Sequence, residues 1–204
     1  MDQKTEIVVG HMKRSCARMH RLIDDTLDFA RGKLGGGIPV TARLVADLPA
    51  ELESVVDEMR VSRPDVDIVT MFTLQAPVHC DRDRICQLLS NLLANAVTHG
   101  SADHPMAVEA DSDSNTFRLS VSNAGPSIPA DNMDLLFQPF TRGGEVEGGL
   151  GLGLYIGSEI ASAHGGTLTA TSTRERTTFV FEMPNFPGAT AWVPPSPTGH
   201  GSLA

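Results

Sequence analysis

The segment Asp81–Gly100 constrains this chain more than any other stretch. Leu88, Leu92 and Ala96, with Leu89 and Leu93, make an apolar stripe at helical spacing. Asn91, Asn95 and Thr98 follow at i, i+4 and i+7, so they share one face of the same helix. Asp81 offers a cap oxygen and Gly100 a stop, which predicts a long helix ending at His99. The leucine stripe needs a sheet to cover. A lone pair of helix asparagines is commonly exposed filler or a local cap. Beside this stripe they need partners, because an unpaired buried amide costs about 1–3 kcal/mol. Their amide oxygens are hard donors suited to Mg²⁺, an ion that takes few protein ligands and fills its shell with water and phosphate.

The rest of the chain supplies that sheet. Thr41–Ala46 and Val66–Thr73 read as strands, with a helix from Pro49 to Arg60 between them. Met106–Ala110 and Thr116–Asn123 read as a hairpin around the turn-rich residues 111–115. A glycine-dense loop at 143–149 leads into a helix from Leu150 to Ala163, which Gly165-Gly166 ends. The strands Thr167–Thr173 and Thr177–Met183 follow. The fold class is therefore α+β, a two-layer sandwich with helices on one face of one sheet.

Residues 8–31 read as a separate amphipathic helix. Met12, Cys16, Met19, Ile23, Thr26 and Ala30 recur at alternating spacings of four and three, and charges fill most other positions. Gly32 and Gly35–Gly37 detach it from the globular block, which favours one helix of a bundle over a helix lying on its own domain. Three units result: a helix and linker at 1–36, a globular block at 37–186, and a disordered Pro-rich tail at 187–204.

Bulk properties narrow the function. With 41% hydrophobic residues the 204-residue chain can bury a core, so global disorder is excluded. A net charge of -9 argues against a nucleic-acid partner, which would need a basic face. It leaves nucleotides open, since local amides and a metal ion suffice for phosphate. The cysteines at 16, 80 and 86 are odd in number and without CxxC spacing, which favours a reducing cytosol. No stretch approaches the ~20 apolar residues of a membrane span, so the chain reads as soluble and cytoplasmic, whatever a parent protein carries.

Two further segments carry candidate chemistry. In Val121–Pro129, a strand runs into a Gly-Pro turn, and on its own the segment is no more than that. Functionally, Asn123 can offer its carbonyl oxygen to an adenine amino group, with Gly125 letting a base approach the backbone. In Gly148–Tyr155, the glycines at 149, 151 and 153 interleave with Leu150, Leu152 and Leu154 just before a helix, freeing its first amides for phosphate oxygens. No strand directly precedes this run and no Gly-Lys-Ser/Thr follows it, so it is neither a dinucleotide fingerprint nor a P-loop. Arg142 is placed to add positive charge near a phosphate tail, or else is an ordinary surface arginine.

Asn91-xxx-Asn95-Ala96, Asn123-x-Gly125, Phe137-xx-Phe140 and Gly149-x-Gly151-x-Gly153, in this order, resemble the ATP-site boxes of bacterial sensor histidine kinases. More broadly the chain is similar to the superfamily that includes DNA gyrase, Hsp90 and MutL. The resemblance implies an α/β sandwich that holds ATP and Mg²⁺ under a mobile lid. It implies that Asn95 ligates Mg²⁺, that Asn91 assists at the metal or phosphates, and that both are catalytic. His99 would pack against the nucleotide, Asn123, Gly125 and Thr177 would surround adenine, and Phe137 and Phe140 would anchor the lid base. Gly149, Leu150, Gly151, Leu152 and Gly153, with Arg142, would hold phosphates. Arg18–Arg31 resembles the second helix of the family's dimerisation hairpin, which implies a possible homodimer, an upstream histidine-bearing helix and a response regulator as partners.

The pattern also departs from the family. Asn123 stands where an aspartate is usual, keeping an acceptor oxygen and losing a charge. Thr98 replaces a frequent lysine and Arg176 a frequent glycine. The gyrase-like branch carries a glutamate one turn before the metal asparagine; Asn91 stands there, which disfavours hydrolysis. The phosphoacceptor box is not in the sequence, and neither His11 nor His20 is followed by an acidic residue or a proline one turn on. The expected function is a protein-histidine kinase domain that passes the γ-phosphate of ATP to a histidine on the upstream helix. A nucleotide-poor docking module and an anti-sigma-type serine kinase are the alternatives.

Overall fold

The computed structural model describes residues 3–101, 103–141 and 150–185. Five strands form the main sheet in the order β2-β4-β5-β7-β6: β2 (Ile68–Leu74), β4 (Met106–Ser112), β5 (Thr116–Asn123), β7 (Thr177–Pro184) and β6 (Thr167–Ser172). All neighbours are antiparallel except β2 and β4, whose parallel pairing requires a crossover that contains α3 (Arg82–His99). A small second sheet pairs β1 (Arg43–Val45) with β3 (Val78–Cys80).

The alternation along the strands decides which face is covered. Val108, Val121, Phe179 and Ala170 stand opposite one another across the sheet, and Ala110, Leu119, Phe181 and Leu168 make the next row. All but Ala170 are buried. Over these rows lie α3, α5 (Gly153–Ala163) and α2 (Leu48–Ser62), with Leu88, Leu92, Ile156, Ile160 and Leu52 completely buried. Burying such side chains stabilises the fold by roughly 1.5–3 kcal/mol each relative to exposure. The opposite face keeps Glu109, Asp111, Arg118 and Glu182 in solvent, as a sheet covered on one side should. The two-layer α/β sandwich is as the strand and helix pattern predicts.

Several boundaries differ from the sequence reading, for local reasons. The first helix, α1 (Gln3–Lys33), continues through Gly32, so this glycine is no breaker. A Cβ there would lie 2.7 Å from the Tyr155 hydroxyl, so its role is to let α1 approach α5. Nor is α1 detached, since its last turns pack on the sandwich. The chain turns afterwards at Gly35 and Gly37, with φ of 80° and 61°. Gly100 does not cap α3 in the left-handed conformation: its φ is -77°, and it is glycine because a Cβ would meet the Ala96 carbonyl at 2.4 Å. α5 begins at Gly153 rather than Leu150, because Gly151 takes a φ of 68° and interrupts the helix. Strand β3 and the short α4 (Ala130–Met133) carry too little pattern to be read in advance. The loop at 143–149 and the tail from 187 lie outside the described residues.

Candidate functional site

The asparagine face of α3 looks across at the start of α5. Asn91 is half-buried, and its Nδ2 donates to the Gly153 carbonyl at 3.2 Å, which leaves Oδ1 as the acceptor end of the amide. A Cβ on Gly153 would stand 3.7 Å from Asn91 Cβ, in ordinary van der Waals contact, so the helix start and the asparagine lie side by side. Asn95, one turn on and also half-buried, makes no side-chain hydrogen bond among the described residues. Two neutral amide oxygens on one helix face fit a hard cation that arrives with phosphate and brings most of its own ligands. Among the described residues no group of three His, Cys, Asp or Glu side chains could hold a metal ion, and burial pushes the thiol of Cys80 up to about 12 and that of Cys86 to about 11.

At the far end of α3 the helix meets the exit of β5. Asn123 and Thr177 face each other in register on β5 and β7, and both are buried. Ser172 extends this row onto β6, its hydroxyl 2.8 Å from Thr177 Oγ1. The apolar ladder of the sheet thus ends in three polar side chains. Ser172 Oγ also accepts from the Ile128 N–H at 2.9 Å and so holds the loop that leaves β5. Asn123 Nδ2 donates to the Ala124 carbonyl at 3.1 Å, directing its amide oxygen the other way. A Cβ on Gly125 would collide with the His99 carbonyl at 2.6 Å, so glycine here permits the close approach of loop and helix end. His99 itself is exposed at the last turn of α3, and Thr98 Oγ1 donates back to the Ala94 carbonyl at 2.7 Å.

The glycine run enters the site between these two ends. Leu152 is buried, Leu150 sits at the surface, and Gly151 accepts from the Phe140 N–H at 3.0 Å. That bond closes the base of the intervening segment. Phe137 is partly buried against the core, whereas Phe140 is 58% exposed with a φ of 64°. Arg142 and Gly149 lie outside the described residues. Among the described candidates, Asn91 and Gly153 are brought together, as are Asn123 and Thr177, Gly125 and His99, and Phe140 and Gly151.

The frame is fixed by a histidine at the C-terminal end of α5. His164 is buried; its Nε2 accepts from the Asp81 N–H at 3.0 Å and its Nδ1 faces the Ile160 carbonyl at 2.8 Å. The ring is therefore neutral with the proton on Nδ1, and burial holds its pKa below the ordinary histidine value. Asp81 in turn caps α3 through Arg84 N and accepts from Thr41 N at 2.7 Å.

This architecture is shared with known proteins. Residues 80–187, more than half of the chain, match the family described as histidine kinase-, DNA gyrase B-, and HSP90-like ATPase. The chain belongs to this family. Within the ATPase family it is similar to sensor kinases in particular. It is 31% identical over 187 residues to the bacteriophytochrome of Pseudomonas aeruginosa, covering 90% of this chain and 26% of that protein. It is 30% identical over 193 residues to the sensor protein VanS of Enterococcus faecium, covering 92% of this chain and 49% of that one. The chain thus spans a quarter to a half of these relatives. Its fold matches that of the Acinetobacter baumannii histidine kinase AdeS, with a TM-score of 0.70 at 23% identity over 92% of this chain and 87% of that one. It also matches full-length ShkA, solved in complex with AMPPNP, with a TM-score of 0.69 at 26% identity over 94% of this chain and 40% of that one. The ATP-binding domain is of the two-component sensor kinase type.

Proposed function

We propose that this chain binds Mg-ATP between α3 and α5 and, within a sensor kinase, transfers the γ-phosphoryl group to a histidine outside its own sequence. The observation that carries the reading is the Asn91–Gly153 hydrogen bond, which sets a hard-donor helix face against a glycine-lined helix start. Asn95 and Asn91 hold the metal, which neutralises charge across the phosphates when bound. The amides of Gly149, Leu150, Gly151, Leu152 and Gly153 hold phosphate oxygens at the dipole-positive end of α5, and Arg142 adds charge. Asn123, Gly125 and Thr177 take the adenine edge, His99 packs on the nucleotide, and Phe140 anchors the lid base. Catalysis is by positioning. An imidazole nitrogen forms the new bond to the γ-phosphorus as the bond to ADP breaks, and the protein has no hydrolytic base at position 91.

The partners follow from that reading: ATP, a histidine-bearing helix packed on α1, a second copy through the same bundle, and a response regulator in a bacterial cytosol. α1 supports the bundle, since Val8, Met12, Met19, Ile23 and Leu27 are about half exposed or more. Among the described residues no helix is long and apolar enough to cross a membrane. The test is transfer in trans: ATP labelled at the γ-position, this chain, and a sensor-kinase hairpin bearing the acceptor histidine. Label on the histidine is expected. No transfer, with no Mg-ATP binding at millimolar nucleotide, would instead favour the nucleotide-poor docking module.

A further inference from the structure

The polar row that ends the helix-covered face of the sheet has a hydrogen-bond pattern of its own. Asn123, Thr177 and Ser172 stand opposite one another on β5, β7 and β6, one step beyond the apolar row of Val121, Phe179 and Ala170. Asn123 and Thr177 are 7% and 5% exposed, so each polar atom they carry needs a partner or a ligand. Asn123 Nδ2 is committed to the Ala124 carbonyl at 3.1 Å. Turning the amide over would set its oxygen against that carbonyl oxygen, two acceptors face to face. Oδ1 is therefore the end that points away, and it can only accept. The amide acts as the acceptor a carboxylate would be, without the charge.

The hydroxyl pair beside it has one hydrogen to spare. Ser172 Oγ accepts from the Ile128 N–H at 2.9 Å and lies 2.8 Å from Thr177 Oγ1. A hydroxyl gives one hydrogen and accepts through its lone pairs. If Thr177 gave its hydrogen to Ser172, the Ser172 hydrogen would have no acceptor among the described residues. If Ser172 gives instead, its own needs are met in full, and the hydrogen of the buried Thr177 is the one left over. Ser172 thus turns the Thr177 hydroxyl into a donor, next to an acceptor that Ala124 holds in place.

Adenine carries a 6-amino donor beside an N1 acceptor, whereas guanine and hypoxanthine carry a 6-oxo acceptor beside an N1–H donor. An acceptor next to a donor pairs with the first edge and opposes the second at both places. We propose that Ser172 is a positioning residue for base choice: it fixes the proton of Thr177, so that Asn123 Oδ1 and Thr177 Oγ1 together accept adenine and refuse a 6-oxopurine. This rests on the Mg-ATP reading above and adds what tells one purine from another. Ser172 acts through Thr177 and need not touch the base. Without it the Thr177 hydroxyl is free to rotate and take an N1–H as an acceptor, so half of the refusal is lost. Buried polar groups left unpaired by the wrong ligand reject it more strongly than a mismatch of shape does.

The test is calorimetric titration of the whole chain with the Mg²⁺ complexes of ATP and inosine triphosphate, because hypoxanthine reverses the edge without adding the 2-amino group of guanine. Wild type is expected to prefer ATP roughly a hundredfold, about tenfold for each opposed group. Ser172→Ala is expected to cut that preference about tenfold, and Ser172→Thr, which keeps the hydroxyl, restores it. In a Thr177→Val background the preference is already reduced, and Ser172→Ala reduces it no further. Equal affinity of wild type for the two nucleotides overturns the proposal and leaves the ATP site standing. So does a Ser172→Ala variant that weakens both by the same factor, the result a merely structural serine would give. Failure of wild type to bind ATP, or binding that ignores Asn95→Ala, removes the ATP site and the base choice together.

Discussion

The side-chain amide of Asn91 donates to the main-chain carbonyl of Gly153 at 3.2 Å, which joins the middle of α3 to the first turn of α5 across the candidate phosphate site. The bond orients the amide as well as linking the helices. Its nitrogen is spent on protein, so its oxygen is the end available to a cation.

Asn91→Ala removes both ends. Loss of a neutral hydrogen bond costs about 0.5–1.5 kcal/mol of stability, a small change in melting temperature. Mg²⁺-dependent ATP affinity is expected to fall about tenfold or more, the worth of an interaction with a charged group. Calorimetry beside a thermal melt separates the two effects. A variant that binds ATP normally would remove Asn91 from the site.

Gly125→Ala tests the adenine end. The new methyl would sit 2.6 Å from the His99 carbonyl, a backbone atom that cannot swing aside. The β5 exit loop and the end of α3 must separate, at a cost of about 1–3 kcal/mol. ATP affinity is expected to drop along with the unfolding midpoint. Wild-type affinity would mean that the close approach has no part in binding.

His164 gives the fold a pH dependence. Its folded pKa is depressed by burial, while the unfolded chain titrates near the ordinary 6.5. Below that pH the unfolded state takes a proton that the folded state refuses, so stability is full above about 6.5 and declines as pH falls toward the folded value. Urea unfolding at pH 7.5 and 5.5 should show this loss in the wild type and a smaller one in His164→Leu. The variant also leaves the Asp81 N–H without its acceptor, at about 1–3 kcal/mol at pH 7.5. Equal losses in both proteins would rule out His164 as the source.

How much the sequence disclosed depends on how locally each feature is determined. Helix α3 was legible because its stripe, its Asp81 cap and its asparagine face all lie within one segment. The β4–β5 and β6–β7 hairpins were legible because alternation and turn residues are local too. Strand β3 is three residues long and exists through its pairing with β1, more than thirty residues earlier, so no local pattern marks it. Gly32 looked like a helix breaker because its reason for being glycine is Tyr155, far along the chain. Asp28, buried against Arg84 and Gln87, was hidden for the same cause, since a charged position on an amphipathic helix reads as solvated until its partners are placed.

The central claim is a Mg²⁺-dependent ATP site on the asparagine face of α3, and calorimetric titration of ATP into this chain, with and without Mg²⁺ and with Asn95→Ala alongside, tests it most directly. The account predicts saturable binding that requires the metal and is lost in Asn95→Ala while the variant remains folded. No binding at millimolar ATP, or binding indifferent to Mg²⁺ and to Asn95, would contradict it.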